Sequence, residues 1–368
     1  MTAKKILIPI IGFGSTGGYR VLSELANHWI GLGHQVDFLV HRSFALPYFP
    51  TRAGIRIFDI SGKTALGDDN VVESKMRPRA GSIYLGMFRA LNHIGSGYDV
   101  VFANHSMTTF PVAFARCGRA KKYYYVQAYE PEFYHSRRGW KGRVLEALSV
   151  ASYSLPLQQV ANAPIYLGYK RVAATDWVPP GIDLSGFYRR FVAPMHRDGR
   201  AWTVGTIGRH ELAKGTKYVL EAFDKLALVD PDVRLKVAYG NLPSGWSHER
   251  AEIVVPKNDK DLADYYRSVD VLVAPGIVQH GACHYPVMEA MACGTPVVTT
   301  GYLPADSSNA WIVPVHDSAA IVNVLLEIRS LAPLDLEAKL KSAAAAIAPF
   351  DWTNVAKEFL RLFDTTGR

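Results

Sequence analysis

Lys5-Ile-Leu-Ile-Pro-Ile-Ile-Gly12-Phe-Gly14-Ser-Thr-Gly17-Gly18-Tyr-Arg-Val21-Leu22 contains a strand, a turn and the start of a helix within eighteen residues. Residues 5–11 form the apolar run of a strand buried on both faces, and residues 12–18 are a glycine-rich turn. Val21, Leu22, Leu25, Ala26 and Trp29 then recur at helical spacing until Gly31 and Gly33 stop the helix. Residues 36–40 supply the next strand, which completes the opening of a βαβ unit and predicts a parallel α/β sheet.

The same alternation continues outward. Strands are predicted at 55–60, 100–103 and 123–126, each ending in a polar or glycine-containing loop. Val178-Pro-Pro-Gly-Ile-Asp183 breaks the pattern, and a polar, basic segment follows to Arg200. A second series begins there, with strands at 203–207, 235–239, 252–255, 271–274 and 296–300 and helices at 216–228, 260–267 and 286–292. An amphipathic helix beginning near Asp351 closes the chain. A chain of 368 residues exceeds what one core usually organises. Two domains are therefore expected, 1–185 joined by 351–368, and 186–350.

Hydrophobic residues at 49% and charged residues at 20% place the chain among globular proteins. Pro9 and Gly12 interrupt the first apolar run before it reaches the length of a signal or membrane segment. Cys117, Cys283 and Cys293 have no metal-ligand spacing and suit a reduced compartment, so a cytoplasmic location is expected. The net charge of +8 favours an anionic partner. Basic residues gather at 135–143 and from Arg189 to Arg200, but no nucleic-acid module accompanies them. Nucleic acid is not expected as a partner, whereas peripheral contact with an anionic membrane fits.

Three features suggest chemistry. The turn with Gly17 and Gly18 precedes a helix and is suited to hold an anion. Taken alone it spells a dinucleotide fingerprint, yet the second strand ends at His41-Arg42 without the ribose-reading carboxylate. Because an arginine there suits a 2′-phosphate, an NADP-dependent oxidoreductase stands as the alternative. The second feature is Gly208-Arg209-His-Glu-Leu-Ala-Lys214-Gly215, which delivers two cations to a helix start, where a diphosphate is favoured. The third is His280-Gly281-Ala-Cys-His284-Tyr285-Pro286-Val287-Met-Glu289-Ala-Met-Ala-Cys-Gly294-Thr-Pro296, directly after a strand.

The second and third features together, with the Pro-Pro-Gly-Ile-Asp break and the helix after Trp352, resemble family-4 retaining glycosyltransferases of the GT-B fold. Within that family, the segment around Gln127 is similar to rhamnosyltransferase-like members. The resemblance implies two Rossmann-like domains facing across a cleft, with the C-terminal helix crossing back to the first domain. It also implies transfer of a hexose or deoxyhexose from a nucleoside-diphosphate sugar to a hydroxyl of a glycan or lipid-linked saccharide, with retention, in bacterial polysaccharide or glycoconjugate synthesis. Carried over by position, Arg209 and Lys214 neutralise the donor diphosphate, Glu289 takes the ribose hydroxyls, and the backbone of Tyr285, Pro286 and Val287 adds anion contacts. Gly17, Gly18, Gly208, His280, Gly281 and His284 complete the donor set. The family's usual glutamate is replaced by Gly281, leaving His280 or His284 to substitute, or a sugar with fewer hydroxyls, or an altered activity. An epimerase or a non-catalytic nucleotide-sugar binder on the same fold would also use these motifs.

In the first domain His105, Gln127 and Glu130 follow strands and are candidates for acceptor contact, with Tyr123, Tyr124, Tyr125, Tyr129 and Tyr134 as an apolar wall. Asp230-Pro-Asp232 spells the D-x-D of metal-dependent transferases but joins a helix to a strand, where Asp and Pro are turn residues. Neither a metal nor a cofactor is expected.

Overall fold

The computed structural model describes residues 2–67, 79–135, 139–190 and 201–365. The chain divides into two compact units, Met1–Gly181 with Trp352–Arg368, and Ile182–Asp351. Parts of both basic clusters, 136–138 and 191–200, lie outside the described residues, as do residues 366–368 of the expected terminal helix.

The first unit runs β1 (Lys5–Ile10), α1 (Gly17–Gly31), β2 (Gln35–His41), β3 (Gly54–Phe58), β4 (Thr64–Leu66), α2 (Ala80–Ile94), β5 (Val100–Ala103), α3 (Ser106–Phe114), β6 (Lys121–Val126), α4 (Pro131–His135), α5 (Trp140–Ser152), β7 (Gln158–Ala161) and β8 (Asp176–Trp177). Its sheet has the order β4-β3-β2-β1-β5-β6-β7-β8, parallel except for β4. The second unit runs β9 (Thr203–Ile207), α6 (Thr216–Val229), β10 (Arg234–Ala238), β11 (Ala251–Val254), α7 (Asp259–Ser268), β12 (Val271–Ala274), α8 (Tyr285–Ala292), β13 (Val297–Thr299), β14 (Trp311–Ile312), α9 (Ser318–Ser330) and α10 (Pro333–Ile347). Its sheet is β11-β10-β9-β12-β13-β14, parallel throughout.

Leaving aside the edge strands β4 and β8, both sheets have the doubly wound order 3-2-1-4-5-6. The order reverses between β1 and β5 in one unit and between β9 and β12 in the other. Such reversals open a crevice outside the carboxyl ends of the two strands.

Alternation along the strands builds a core on each face. In β5, Val101 and Ala103 join Leu7, Leu39, Met87, Leu91 and Tyr124 beneath α2 and α3. Phe102 points the other way, onto Trp29 of α1 and Phe359 of the last helix, α11 (Trp352–Asp364), at 5.6 and 5.3 Å. This helix completes the first core: Trp29 Nε1 donates to Ala356 O at 3.0 Å and Tyr123 Oη to Leu362 O at 2.9 Å. Trp352 packs so closely on Gly181 that a Cβ there would lie 2.3 Å from the indole.

The predicted strand at 55–60 stops at Phe58, because Asp59 Oδ1 accepts from the Ser61 and Lys63 amides and turns the chain. The elements α2, α3, α4, α5, α9, α10, β4, β7, β8 and β14 fall outside those predicted from the sequence. Pro111 inside α3 and the polar buried face of α5 hide their helical periodicity. Asp230 is a turn residue, its Oδ1 accepting from the Asp232 amide at 3.0 Å while its carboxylate pairs with Arg329. Among the described residues no group of His, Cys, Asp or Glu could hold a metal ion, and no helix is long and apolar enough to cross a membrane.

Candidate functional site

In the second unit, the loops leaving β9 and β12 meet at the sheet reversal. A Cβ on Gly208 would fall 1.6 Å from Gly240 O, so only glycine lets the chain leave β9 there. The Arg209 amide donates to Thr216 Oγ1 at 3.1 Å, folding the loop back on the first residue of α6. A single 3-10 turn, Leu212–Lys214, then ends at Gly215 with φ +71°, and a Cβ on Gly215 would lie 2.0 Å from Pro275 O. The Ile277 amide donates to Ala213 O at 2.9 Å, tying the loop after β12 to this one.

Along that second loop, His280 Nε2 lies 3.2 Å from Gly276 O. The rings of His280 and His284 approach Tyr302 at 5.7 and 4.8 Å. Gly281 has φ +87° and donates its amide to Gly301 O at 2.9 Å, a left-handed conformation that disfavours any side chain. His284 caps α8, its carbonyl accepting from Val287 and Met288 at 3.0 and 3.1 Å, with Pro286 in the first turn where its missing donor costs little.

The electrostatics bind these groups into one site. Burial holds the Lys214 ammonium below its ordinary pKa, and the Arg209 charge lowers it further. Burial, then Lys214 and Arg209, push the His284 imidazole down to about 3, so it is neutral at physiological pH. Its Nδ1 is buried with no hydrogen-bond partner among the described residues. Neither Arg209 nor Lys214 ends in an ion pair among the described residues, leaving two cations before α6 whose charge is felt by the neutral imidazole at the start of α8. Glu289 lies deeper: it is 4% exposed, and its Oε2 accepts from Tyr266 Oη of α7 at 2.8 Å. The parts played by Tyr266, Tyr302 and Thr216 left no trace in the sequence, since each acts through a tertiary contact.

The first unit has its own cluster at the β1–β5 reversal. Gln127 Nε2 reaches Gly18 O at 3.5 Å, so the end of β6 meets the α1 turn, where Gly17 has open space about its Cα. Gly12 is required by packing, since a Cβ would lie 2.3 Å from Phe44 Cβ. His105 caps α3 through Nδ1, accepting from the Met107 amide at 3.1 Å, and Nε2 lies 3.4 Å from Glu130 Oε2. Glu130 departs from its expected role as an acceptor contact. Both its oxygens accept from the Ser106 amide at 3.0 Å, and the residue is 4% exposed, so its carboxylate anchors the α3 N-terminus. The expected tyrosine wall is also largely core: Tyr124 stacks on Tyr153 and Tyr125 on Phe102, while Tyr129 alone of the five is half-buried.

Residues 201–330, covering the whole second sheet and the whole Arg209–Glu289 region, match the family model of glycosyl transferases group 1. Over those residues the second unit is similar to glycosyl transferases group 1. Relatives include a D-inositol 3-phosphate glycosyltransferase of Mycobacterium sp. (strain JLS), 29% identical over 196 residues, 47% of this chain and 43% of that protein. A phosphatidyl-myo-inositol mannosyltransferase of Mycobacterium leprae (strain TN) is 30% identical over 245 residues, 62% of this chain and 57% of that protein. The chain thus spans about half the length of the curated relatives it matches. In structure, the chain resembles sucrose-phosphate synthase from Thermosynechococcus elongatus, with TM-score 0.70, 17% identity and 98% of each chain covered. Anabaena Alr3699/HepE in complex with UDP-glucose gives TM-score 0.69 at 14% identity, over 99% of this chain and 100% of that one. The fold is GT-B.

Proposed function

We propose that this chain transfers a hexose or deoxyhexose from a nucleoside-diphosphate sugar to a hydroxyl of a glycan or lipid-linked acceptor, with retention and without a metal or other cofactor. The observation that carries this reading is the pair of cations, Arg209 and Lys214, held without ion-pair partners among the described residues at the sheet reversal beside a neutral His284. Unpaired positive charge at a helix start is unfavourable by itself and becomes favourable when a diphosphate arrives. As the bond between the anomeric carbon and the diphosphate breaks, the leaving oxygen gains charge that these cations stabilise. The acceptor oxygen forms the new bond, and its proton passes to the departing diphosphate. Gly17, Gly18, Gly208, His280, Gly281, Tyr285, Pro286, Val287 and Glu289 frame the donor, while His105 and Gln127 serve the acceptor. The inositol-phosphate and phosphatidyl-inositol acceptors in the relatives' names, and the UDP-glucose in the Anabaena complex, support the substrate classes. A cytoplasmic enzyme working at the inner face of the membrane fits a lipid-linked acceptor.

A thermal-shift panel of UDP, GDP, dTDP, CDP and NADPH, with and without EDTA, tests this. A ligand at a hundred times its Kd adds about 2.7 kcal/mol of apparent stability. Stabilisation by one nucleoside diphosphate, unchanged by EDTA, is expected and names the donor for transfer assays, in which the anomeric configuration of the product tests retention. A shift with NADPH alone would overturn the reading.

A further inference from the structure

Helix α5 is patterned in reverse. Its buried positions are Gly142, Ser149 and Ser152, whereas Trp140, Val144 and Leu148 are exposed at 71%, 46% and 41%. Spaced four apart, these three lie on one helical face, so the bulky apolar stripe of α5 is turned to solvent and its small polar stripe to the protein. The usual reason for a helix to carry such a stripe, burial in its own core, is absent here.

The charges around the stripe identify what covers it. Lys141 and Arg143 are exposed on the same two turns, with Lys141 Nζ 5.9 Å from the Trp140 ring centroid. The one acidic side chain of α5, Glu146, is held by His135 Nδ1 of α4 at 3.1 Å. A tryptophan-led apolar stripe bracketed by cations complements an anionic lipid surface: the apolar groups enter the boundary between headgroups and acyl chains, and long cationic side chains reach the phosphates. The net charge of +8 draws the whole molecule toward such a surface.

We propose that the exposed face of α5 docks this protein on an anionic bilayer, with Trp140, Val144 and Leu148 inserted at the interface and Lys141 and Arg143 on lipid phosphates. Peripheral membrane contact thereby acquires a definite surface in the first unit. The surface uses no donor-site residue, so its failure and the failure of the transferase reading are separately visible.

Flotation of the full chain with vesicles of phosphatidylcholine, alone or mixed with phosphatidylglycerol, reads the proposal. The chain should float only with the mixed vesicles, and added salt should weaken the association. The combined Trp140→Ser, Val144→Ser and Leu148→Ser variant should lose about tenfold or more of its partitioning. The Lys141→Gln and Arg143→Gln variant should lose a similar factor, together with most of the salt dependence. Nucleoside-diphosphate stabilisation should stay at the native level in both, and far-ultraviolet circular dichroism with a denaturant midpoint for the first unit reports that they fold; Trp140→Ser alone serves if the triple variant does not. A native chain that ignores phosphatidylglycerol would overturn the proposal, as would variants that float like it. So would a native dimer in solution that the apolar substitutions convert to monomer, since the stripe would then face a second copy.

Discussion

Lys214 is held in a position that costs the folded protein something, because burial and Arg209 both disfavour its charge. Substituting Lys214 by Met should therefore leave the thermal stability of the ligand-free protein unchanged or slightly raised while weakening nucleoside-diphosphate binding about tenfold to a hundredfold, the worth of one charge-assisted hydrogen bond. Calorimetric titration beside a melting curve would show the opposite signs; a loss of stability without a loss of affinity would remove Lys214 from the site. His284 makes a pH prediction. Neutral in the fold down to about 3, it takes up a proton on unfolding once the pH drops below its ordinary value near 6.5. The unfolded state then binds more protons, so stability is retained above that value and lost progressively as the pH falls from about 6.5 toward 3. Urea midpoints measured between pH 7 and 4 should decline less in a His284→Leu variant than in the native chain. At Gly281, φ +87° explains why restoring a glutamate is a poor probe of sugar preference: an L side chain in that conformation costs roughly 1–2 kcal/mol before any ligand contact is made. Asn, which tolerates the left-handed region better, is the cleaner substitution.

At the scale of elements, α3 depends on a carboxylate from another strand end. Glu130 accepts from Ser106 at the first turn of α3, so Glu130→Gln should lower the stability of the first unit by about 1–2 kcal/mol, read from denaturant midpoints. Nucleoside-diphosphate affinity in the second unit should be unaffected, because the hydrogen bonds Glu130 makes, to Ser106, Tyr124 and Tyr153, lie in the first unit. The last helix is a larger debt. Phe359 is fully buried against Trp29, Phe102 and Tyr125, and truncating it to Ala should cost about 3–5 kcal/mol in equilibrium unfolding. The helix itself was readable in advance, since Val355, Ala356, Phe359, Leu360 and Phe363 follow a 3.6-residue period. Its partners were not, because periodicity shows that a face is buried without naming what buries it. For α5 even the burial was unreadable, the apolar face being the exposed one.

For the whole molecule, the two units have separate cores, one built around Val219, Phe223, Val237 and Val273, the other around Leu7, Leu39, Met87 and Val101. Residues 182–351 produced alone should fold and retain nucleoside-diphosphate binding, whereas deletion from Trp352 onward should unfold the first unit by exposing Trp29 and Phe102; circular dichroism and titration on the two truncations would check both outcomes. By itself the sequence determined the alternating α/β architecture, the glycine turns at strand ends and the order of the Arg209, Lys214 and Glu289 motifs. These are properties of spacing and residue type, which backbone sterics and burial convert directly into local structure. Only the tertiary structure decided that Glu130 serves a helix start, that Gly281 is left-handed, and that His284 is buried beside two cations. Those outcomes depend on which residues distant in the chain come within a few ångströms, and pairwise distance, unlike period, is written nowhere along a single strand or helix.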